Sequence, residues 1–322
     1  MSQWTNQSPE QEKMEQTGRN PFASKWCEAA RSAKCPPTLE ELLKRVHDLP
    51  TLPHAALKVM RMTRGVEVSP REIGDAVSKD PNFAARVLKL ANSSYYGLPR
   101  SVGTLTEAVM MLGNRTIRNL TIVAATHQTL SQDLPGYDLS ANELWKHSIA
   151  GAHVAIHLAE AAHYPYTEEA FVAGLLHDVG KLILSIYVRD FTEDIHFFMK
   201  NNVCSFVQAE KAVLGFDHGE VGGHIARQWN LPTPLVQAIA WHHAPLQKGQ
   251  VIPLVGITHL ADFVCICAGI GVGTNRVGED LSDGVLETLN LTRNDVENAL
   301  TFITEMMDET KDTDAVLLPK AA

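Results

Sequence analysis

Apolar residues recur along this chain at helical spacing, and no window shows the strict two-residue alternation of a half-exposed strand. The pattern predicts an all-α fold. Helix starts are marked by residues that satisfy the free N–H groups of a first turn. Thr38 precedes Glu40 and Glu41, whose charge suits a helix N-terminus. Leu57, Met60 and Arg64 belong to a second helical stretch. Ser69-Pro70 opens a third, with Ser69 as N-cap and Pro70 as the first helical residue. Asp80-Pro81 opens the helix Pro81–Ala91, whose apolar face carries Phe83, Val87, Leu88 and Leu90. Glu107–Leu112 and Thr116–Thr129 are apolar at the same period. From about Leu139 a second group of helices is expected over 140–162, 168–188, 205–213, 219–229, 234–243 and 253–268. Acidic helices are expected over 283–289 and 292–308.

Residues 1–37 lack periodicity and are expected to form a tail or loosely packed arm, with Cys35-Pro36-Pro37 as its boundary. Residues 38–135 then make a first helical lobe, 136–245 a second, and 246–322 C-terminal helices with a frayed end. The longest apolar run, Val251–Val272, has the length of a membrane span but contains His259 and Asp262. A charge at the centre of a span costs about 3 kcal/mol on insertion, so the run reads as a buried helix and no membrane is expected as a partner.

Composition adds little to this picture. A 45% apolar content can fill a core and 20% charged residues suits a globule. Residues 1–20 lack an apolar leader and the five cysteines form no C-x-x-C pair, so reduced thiols and a cytoplasmic location are expected. Charge changes the picture more. The net −9 divides into +1 over 1–38, +3 over 39–135, −5 over 136–278 and −8 over 279–322. The acidic total argues against a nucleic-acid partner, which needs basic surface to displace counterions. The basic first lobe could still meet an anionic partner.

Most of the fourteen histidines fall between His147 and His259. The strongest local signal is Gly174-Leu175-Leu176-His177-Asp178-Val179-Gly180-Lys181. Apolar residues bury the approach to an adjacent imidazole and carboxylate, and a buried carboxylate needs a partner or a cation. The pair can be a hydrogen-bonded His–Asp unit or can ligate metal, with Asp178 able to bridge two ions. Lys181, three residues on, shares a helix face with Asp178 and could hold a phosphate oxygen. Glu143 and His147 share another face. Asp217 can cap a helix while His218 points inward. His242-His243 end a helix that Pro245 stops. Asp262 lies inside the apolar run. Together these groups supply donors for two divalent ions. His153 and His157 read as structural or exposed, His224 as peripheral, and His259 as an outer partner that orients a ligand. His47, His54, His127, His163 and His196 carry no signal. Other motifs fail. Gly174–Lys181 has one residue too many for a phosphate-binding P-loop and is followed by Leu182. Gly269, Gly271 and Gly273 follow a helix rather than a strand, and there is no G-x-S-x-G elbow.

Further stretches give the chain a resemblance. These are Leu49-Pro50-Thr51-Leu52-Pro53, the run Asp80–Ser93, Tyr95-Tyr96-Gly97, Glu107–Gly113, Gly174–Lys181, His218-Gly219-Glu220-Val221-Gly222 and Trp229-Asn230-Leu231-Pro232. Over about residues 38–245 the chain resembles HDOD proteins, the "HD-related output domain" branch of the HD-domain superfamily. The resemblance implies two packed helical lobes, with an HD-like core in the second. It also implies a place in bacterial signal transduction, often as a regulatory module. In catalytic HD relatives, a first His, a His-Asp pair, later His residues and a final Asp hold metal. His147, His177, Asp178, His218, His242, His243 and Asp262 match that set. Glu143 sits where some relatives have a further carboxylate, and Lys181 matches a phosphate-facing lysine.

The resemblance thus implies two divalent ions (Fe, Mn, Zn or Ni). Asp178 would bridge them, with His147, His177 and Asp262 at one and His218, His242 and His243 at the other. Asp178 and Lys181 would be the catalytic residues of a phosphohydrolase acting on a phosphate-containing small molecule or nucleotide. The alternative is a non-catalytic module that passes the state of its metal site to a signalling partner protein. Residues Ala244–Gly249 contain no Gly-Tyr-Pro element, which departs from the relatives that cleave cyclic-di-GMP.

Overall fold

The computed structural model describes residues 36–45, 52–62, 68–93, 96–202, 204–247, 249–273 and 283–309. Residues 1–35 of the expected arm, the C-terminal residues 310–322, His47 and Arg64 lie outside them. The first lobe holds α1 (Leu39–Arg45), α2 (His54–Met62), α3 (Pro70–Val77), α4 (Pro81–Ala91) and α5 (Leu105–Leu130). A 3-10 turn, Pro135–Tyr137, leads to α6 (Glu143–Ala161), α7 (Thr167–Leu176), α8 (Lys181–Asn202), α9 (Phe206–Leu214), α10 (His218–Gln228) and α11 (Thr233–Trp241). A short pair, β1 (Leu246–Gln247) and β2 (Gln250–Val251), precedes α12 (Pro253–Cys267), α13 (Asp283–Leu289) and α14 (Arg293–Glu309). The all-α class expected from periodicity is the class observed.

The helix starts follow their capping chemistry. The Ser69 hydroxyl accepts from the Glu72 N–H at 3.3 Å while the Glu72 carboxylate accepts from the Ser69 N–H at 3.0 Å. The Asp80 carboxylate accepts from the Phe83 N–H at 3.0 Å. The two apolar pieces expected at 107–112 and 116–129 form one element, α5, with a non-helical break at Gly113 (φ 82°).

Packing places α7 at the centre. Helices α2, α3 and α4 lie on α5, and α5 reaches α6 and α7. In the second lobe α7 packs on α6, α11 and α12, while α14 covers α6 and α12. One apolar core runs from Leu42 through Ile303 across both lobes. Helix α12 is buried along most of its length, as expected for the apolar run that contains it. Helices α7 and α8 together are long and apolar enough to cross a membrane, but 78% of their most apolar window is buried inside the fold.

Two expectations need correction. The helix expected over 168–188 is two helices, broken by a turn at His177–Gly180, and the second continues to Asn202. The break brings α8 hard against the start of α10: a Cβ on Gly180 would lie 1.9 Å from the His218 carbonyl oxygen. Periodicity cannot register such an approach, because the apolar positions resume in phase on either side. The β1–β2 pair was also not expected. It is two residues per strand, closed through Gly249 (φ 78°), too short for alternation to appear.

Substituting Gly180→Ala is expected to destabilise the protein by about 1–3 kcal/mol or more, since backbone rather than a flexible side chain must yield. Thermal unfolding would check this; an unchanged midpoint would contradict the close approach of α8 to α10.

Candidate metal centre

Helix ends deliver the site. His147 projects from the second turn of α6 and His177 from the C-terminus of α7. These helices can lie side by side because both surfaces are stripped to glycine: a Cβ on Gly174 would meet the Gly151 carbonyl oxygen at 2.4 Å. His218 is the first residue of α10, set by the Asp217 cap, which accepts from the Glu220 N–H at 2.8 Å. His242 and His243 leave the C-terminus of α11. Asp262 comes from the middle of α12.

Among the described residues, two groups of donors converge. His147, His177 and Asp262 form one, and Asp178, His218, His242 and His243 the other; within each group the donor atoms lie within 4.8 Å of one another. In the first, His147 Nε2 is 3.0 Å from Asp262 Oδ1 and 3.2 Å from His177 Nε2, and His177 Nε2 is 3.5 Å from Asp262 Oδ1. Asp178 joins the two groups. Its Oδ2 is 3.5 Å from Nε2 of both His147 and His177, and its Oδ1 is 3.2 Å from His218 Nε2 and 3.9 Å from His242 Nε2. His243 Nε2 is 2.8 Å from His218 Nε2, and its Nδ1 is 3.8 Å from Asp262 Oδ2.

The tautomers follow from the outer hydrogen bonds. Nδ1 of His147 donates to the Ile270 carbonyl, that of His177 to the Gly174 carbonyl and that of His242 to the Ile239 carbonyl, each at 2.8 Å. Nδ1 of His218 donates to Glu210 Oε2, also at 2.8 Å. A carbonyl oxygen can only accept, so Nδ1 carries the proton and Nε2 turns inward with its lone pair. His242 Nε2 and Asp178 Oδ1 are buried with no hydrogen-bond partner. Two imidazole lone pairs 3.2 Å apart repel unless a proton or a cation lies between them. Donors around a tetrahedral ion with bonds of about 2.0–2.1 Å sit about 3.3 Å apart, so the donor set fits divalent cations. The outward Nδ1–H bonds are the kind that fix ligand orientation.

Charge points the same way. Asp178, Asp262 and Glu210 are 1%, 5% and 0% exposed, against one buried ammonium, Lys181, whose Nζ lies 2.6 Å from Asp178 Oδ2. Burial opposes the Asp178 charge, but Lys181, His177 and His218 hold its carboxyl well below the usual range. Burial likewise opposes Asp262, and hydrogen bonds from His147 and His177 overcome it. Burial disfavours the His218 cation, yet Glu210 and Asp178 push its pKa up to about 10. His177 is raised too, its burial outweighed by Asp178 and Asp262. Burial pushes His242 and His243 well below the usual imidazole range. Without a cation, the buried carboxylates favour the protonated forms of His177 and His218.

The remaining sequence candidates separate. Glu143 stands apart from both groups: its carboxylate turns back to accept from the Ser140 N–H at the start of α6. His157 stacks on Phe302 at 4.8 Å and His153 meets the Phe171 ring, so both are packing residues. His259 Nδ1 donates to the His242 carbonyl at 2.8 Å and holds the turn that carries the histidine pair. Glu210 was missed. It accepts from the His218 N–H and Nδ1–H and from the Tyr137 hydroxyl. Its signal is a carboxylate on the apolar stripe of α9, between Phe206 and Val213.

Metal must displace the His218 proton at neutral pH, because its pKa near 10 keeps it charged there. Affinity for a divalent ion is therefore expected to rise with pH, by about tenfold per unit for each proton displaced. Calorimetric titration at pH 7 in buffers of different ionisation heat is expected to detect proton release; none would contradict this charge balance.

The HDOD domain family model matches residues 49–245. A 222-residue stretch is 26% identical to an uncharacterised protein of Treponema pallidum (strain Nichols); it covers 68% of this chain, and spans 42% of that relative's length. An HDOD domain protein of unknown function from Geobacter sulfurreducens superposes with a TM-score of 0.64 at 25% identity, over 84% of this chain and 92% of that one. A candidate phosphohydrolase from Shewanella amazonensis SB2B gives 0.59 at 25% identity, over 82% and 93%. With its family match covering more than half of its residues, this chain belongs to the HDOD family.

Proposed function

We propose that this HDOD protein holds two divalent cations, one in each donor group, and uses them to hydrolyse a phosphoester of a small molecule or nucleotide. The observation that carries the reading is the inward turn of four Nε2 atoms around Asp178, whose two oxygens address different groups. His147, His177 and Asp262 would hold one ion and His218, His242 and His243 the other, with Asp178 shared. The mixed nitrogen and oxygen donors suit Fe, Mn, Zn or Ni. When bound, such ions supply Lewis acidity towards a phosphoryl oxygen and acidify a water.

The chain's own residues do the rest. Asp178 and Asp262 concentrate negative charge in a dry site, and the outer bonds of the imidazoles keep their lone pairs aimed without reorganisation. Lys181, against Asp178, is the fixed positive group that a substrate phosphate would meet. His243 is the least buried of the seven, so a substrate would approach from its side. A second reading draws on burial. The other six side chains belong to residues 5% exposed or less, which suits a metal that is sensed rather than reached by substrate. In that case the first lobe would pass the metal state to a signalling partner.

Purified, metal-loaded protein is expected to turn over a phosphodiester or nucleotide substrate. His177→Ala and Asp178→Ala are each expected to lower the rate by about 100-fold or more, since loss of even an outer partner of a ligand costs about 10–100-fold. Metal bound without turnover on any such substrate would contradict hydrolysis and leave the sensing module.

A further inference from the structure

The two donor groups differ in what stands behind them. In the first, the imidazoles of His147 and His177 rest on backbone carbonyls, those of Ile270 and Gly174. In the second, His218 rests on a carboxylate, and that carboxylate is not isolated. Glu210 Oε2 takes both the backbone N–H of His218, at 2.9 Å, and its Nδ1–H, at 2.8 Å. Glu210 Oε1 takes the Tyr137 hydroxyl. All three residues are buried, at 2% exposure or less.

Tyr137 is the last residue of the 3-10 turn that joins the two lobes. This turn packs on α8, where the Gly136 N–H donates to the Ser185 hydroxyl at 3.1 Å. The Tyr137 ring lies 5.7 Å from Lys181 Nζ and 6.0 Å from the His218 ring centre, and packs at 5.7 Å on Phe206 at the start of α9. The connector between the lobes therefore reaches the metal centre through one continuous chain, Tyr137 to Glu210 to His218. A carboxylate behind a ligating imidazole raises its donor strength and fixes its ring; a tyrosine behind that carboxylate fixes it in turn.

Resting on the two-cation reading above, we propose that Glu210 and Tyr137 are positioning residues that set cation affinity in the His218 group alone and tie it to the inter-lobe connector. Displacing the connector would withdraw the Tyr137 hydroxyl, free Glu210 and loosen His218, while the first group, held by backbone, would keep its ion. The arrangement makes one of the two cations the responsive one.

The test is calorimetric titration of the full chain with manganese(II), with chelator competition to separate the two equivalents. His242→Ala and Asp262→Ala mark which equivalent belongs to which group. Glu210→Gln is expected to weaken the equivalent that His242→Ala removes by about 10- to 100-fold. Tyr137→Phe is expected to weaken the same equivalent by about two- to tenfold. Both should leave the other equivalent near wild type, while each lowers the metal-free melting temperature, since Glu210 pairs with the buried His218 and Tyr137 satisfies Glu210. If Glu210→Gln fails to fold, Tyr137→Phe, which removes one hydroxyl, carries the test. Equal weakening of both equivalents, or none, overturns the proposal while leaving the two-cation reading intact. A wild-type chain that binds no manganese overturns that reading as well.

Discussion

The structure is organised around the carboxylate of Asp178. At 1% exposure it has lost nearly all contact with water, and an uncompensated charge at that depth would cost several kcal/mol. Its compensation comes from Lys181, three residues on at the start of α8, from the adjacent His177, and from His218, which α10 brings in from 40 residues further along the chain. None of these groups can be withdrawn without leaving a buried charge less well paired. The constraint bears on where α7 ends, where α8 begins and how close α10 comes to the turn between them.

Glycine permits that closeness. Gly174 lets α7 lie against α6, and Gly180 lets the turn after Asp178 press on the backbone of His218. Helix caps then aim the side chains. Asp217 starts α10 so that His218 faces inward, and the end of α11 exposes two consecutive imidazoles to the same centre. The same burial that makes the centre electrostatically strong also narrows access to the edge near His243. Catalysis and sensing place opposite demands on that edge, and this is where the two functional readings part.

Much of the fold could be read in the sequence because the signals are local. Ser69-Pro70, Asp80-Pro81 and Asp217-His218 announce helix starts through residues that need no tertiary partner. The seven side chains that converge were also visible, as polar residues that apolar surroundings would not tolerate unpaired. What escaped was non-local. The break at 177–180 exists because α10 approaches there, 40 residues on, and the hydrophobic period does not record it. Glu143 looked equivalent to His147 by helical spacing, but a carboxylate in a first turn has nearer N–H groups to satisfy. Glu210 could have been found, since it interrupts the apolar stripe of a short helix, but its partner Tyr137 is 73 residues away and no spacing links them.

In the two-cation reading these donors hold ions on both sides of Asp178. Anomalous diffraction at the metal edge from crystals of the manganese-loaded protein tests it most directly. Two peaks are expected, one among His147, His177 and Asp262 and one among His218, His242 and His243, with Asp178 between them. The absence of any peak at these residues, or density only at surface carboxylates, would contradict it.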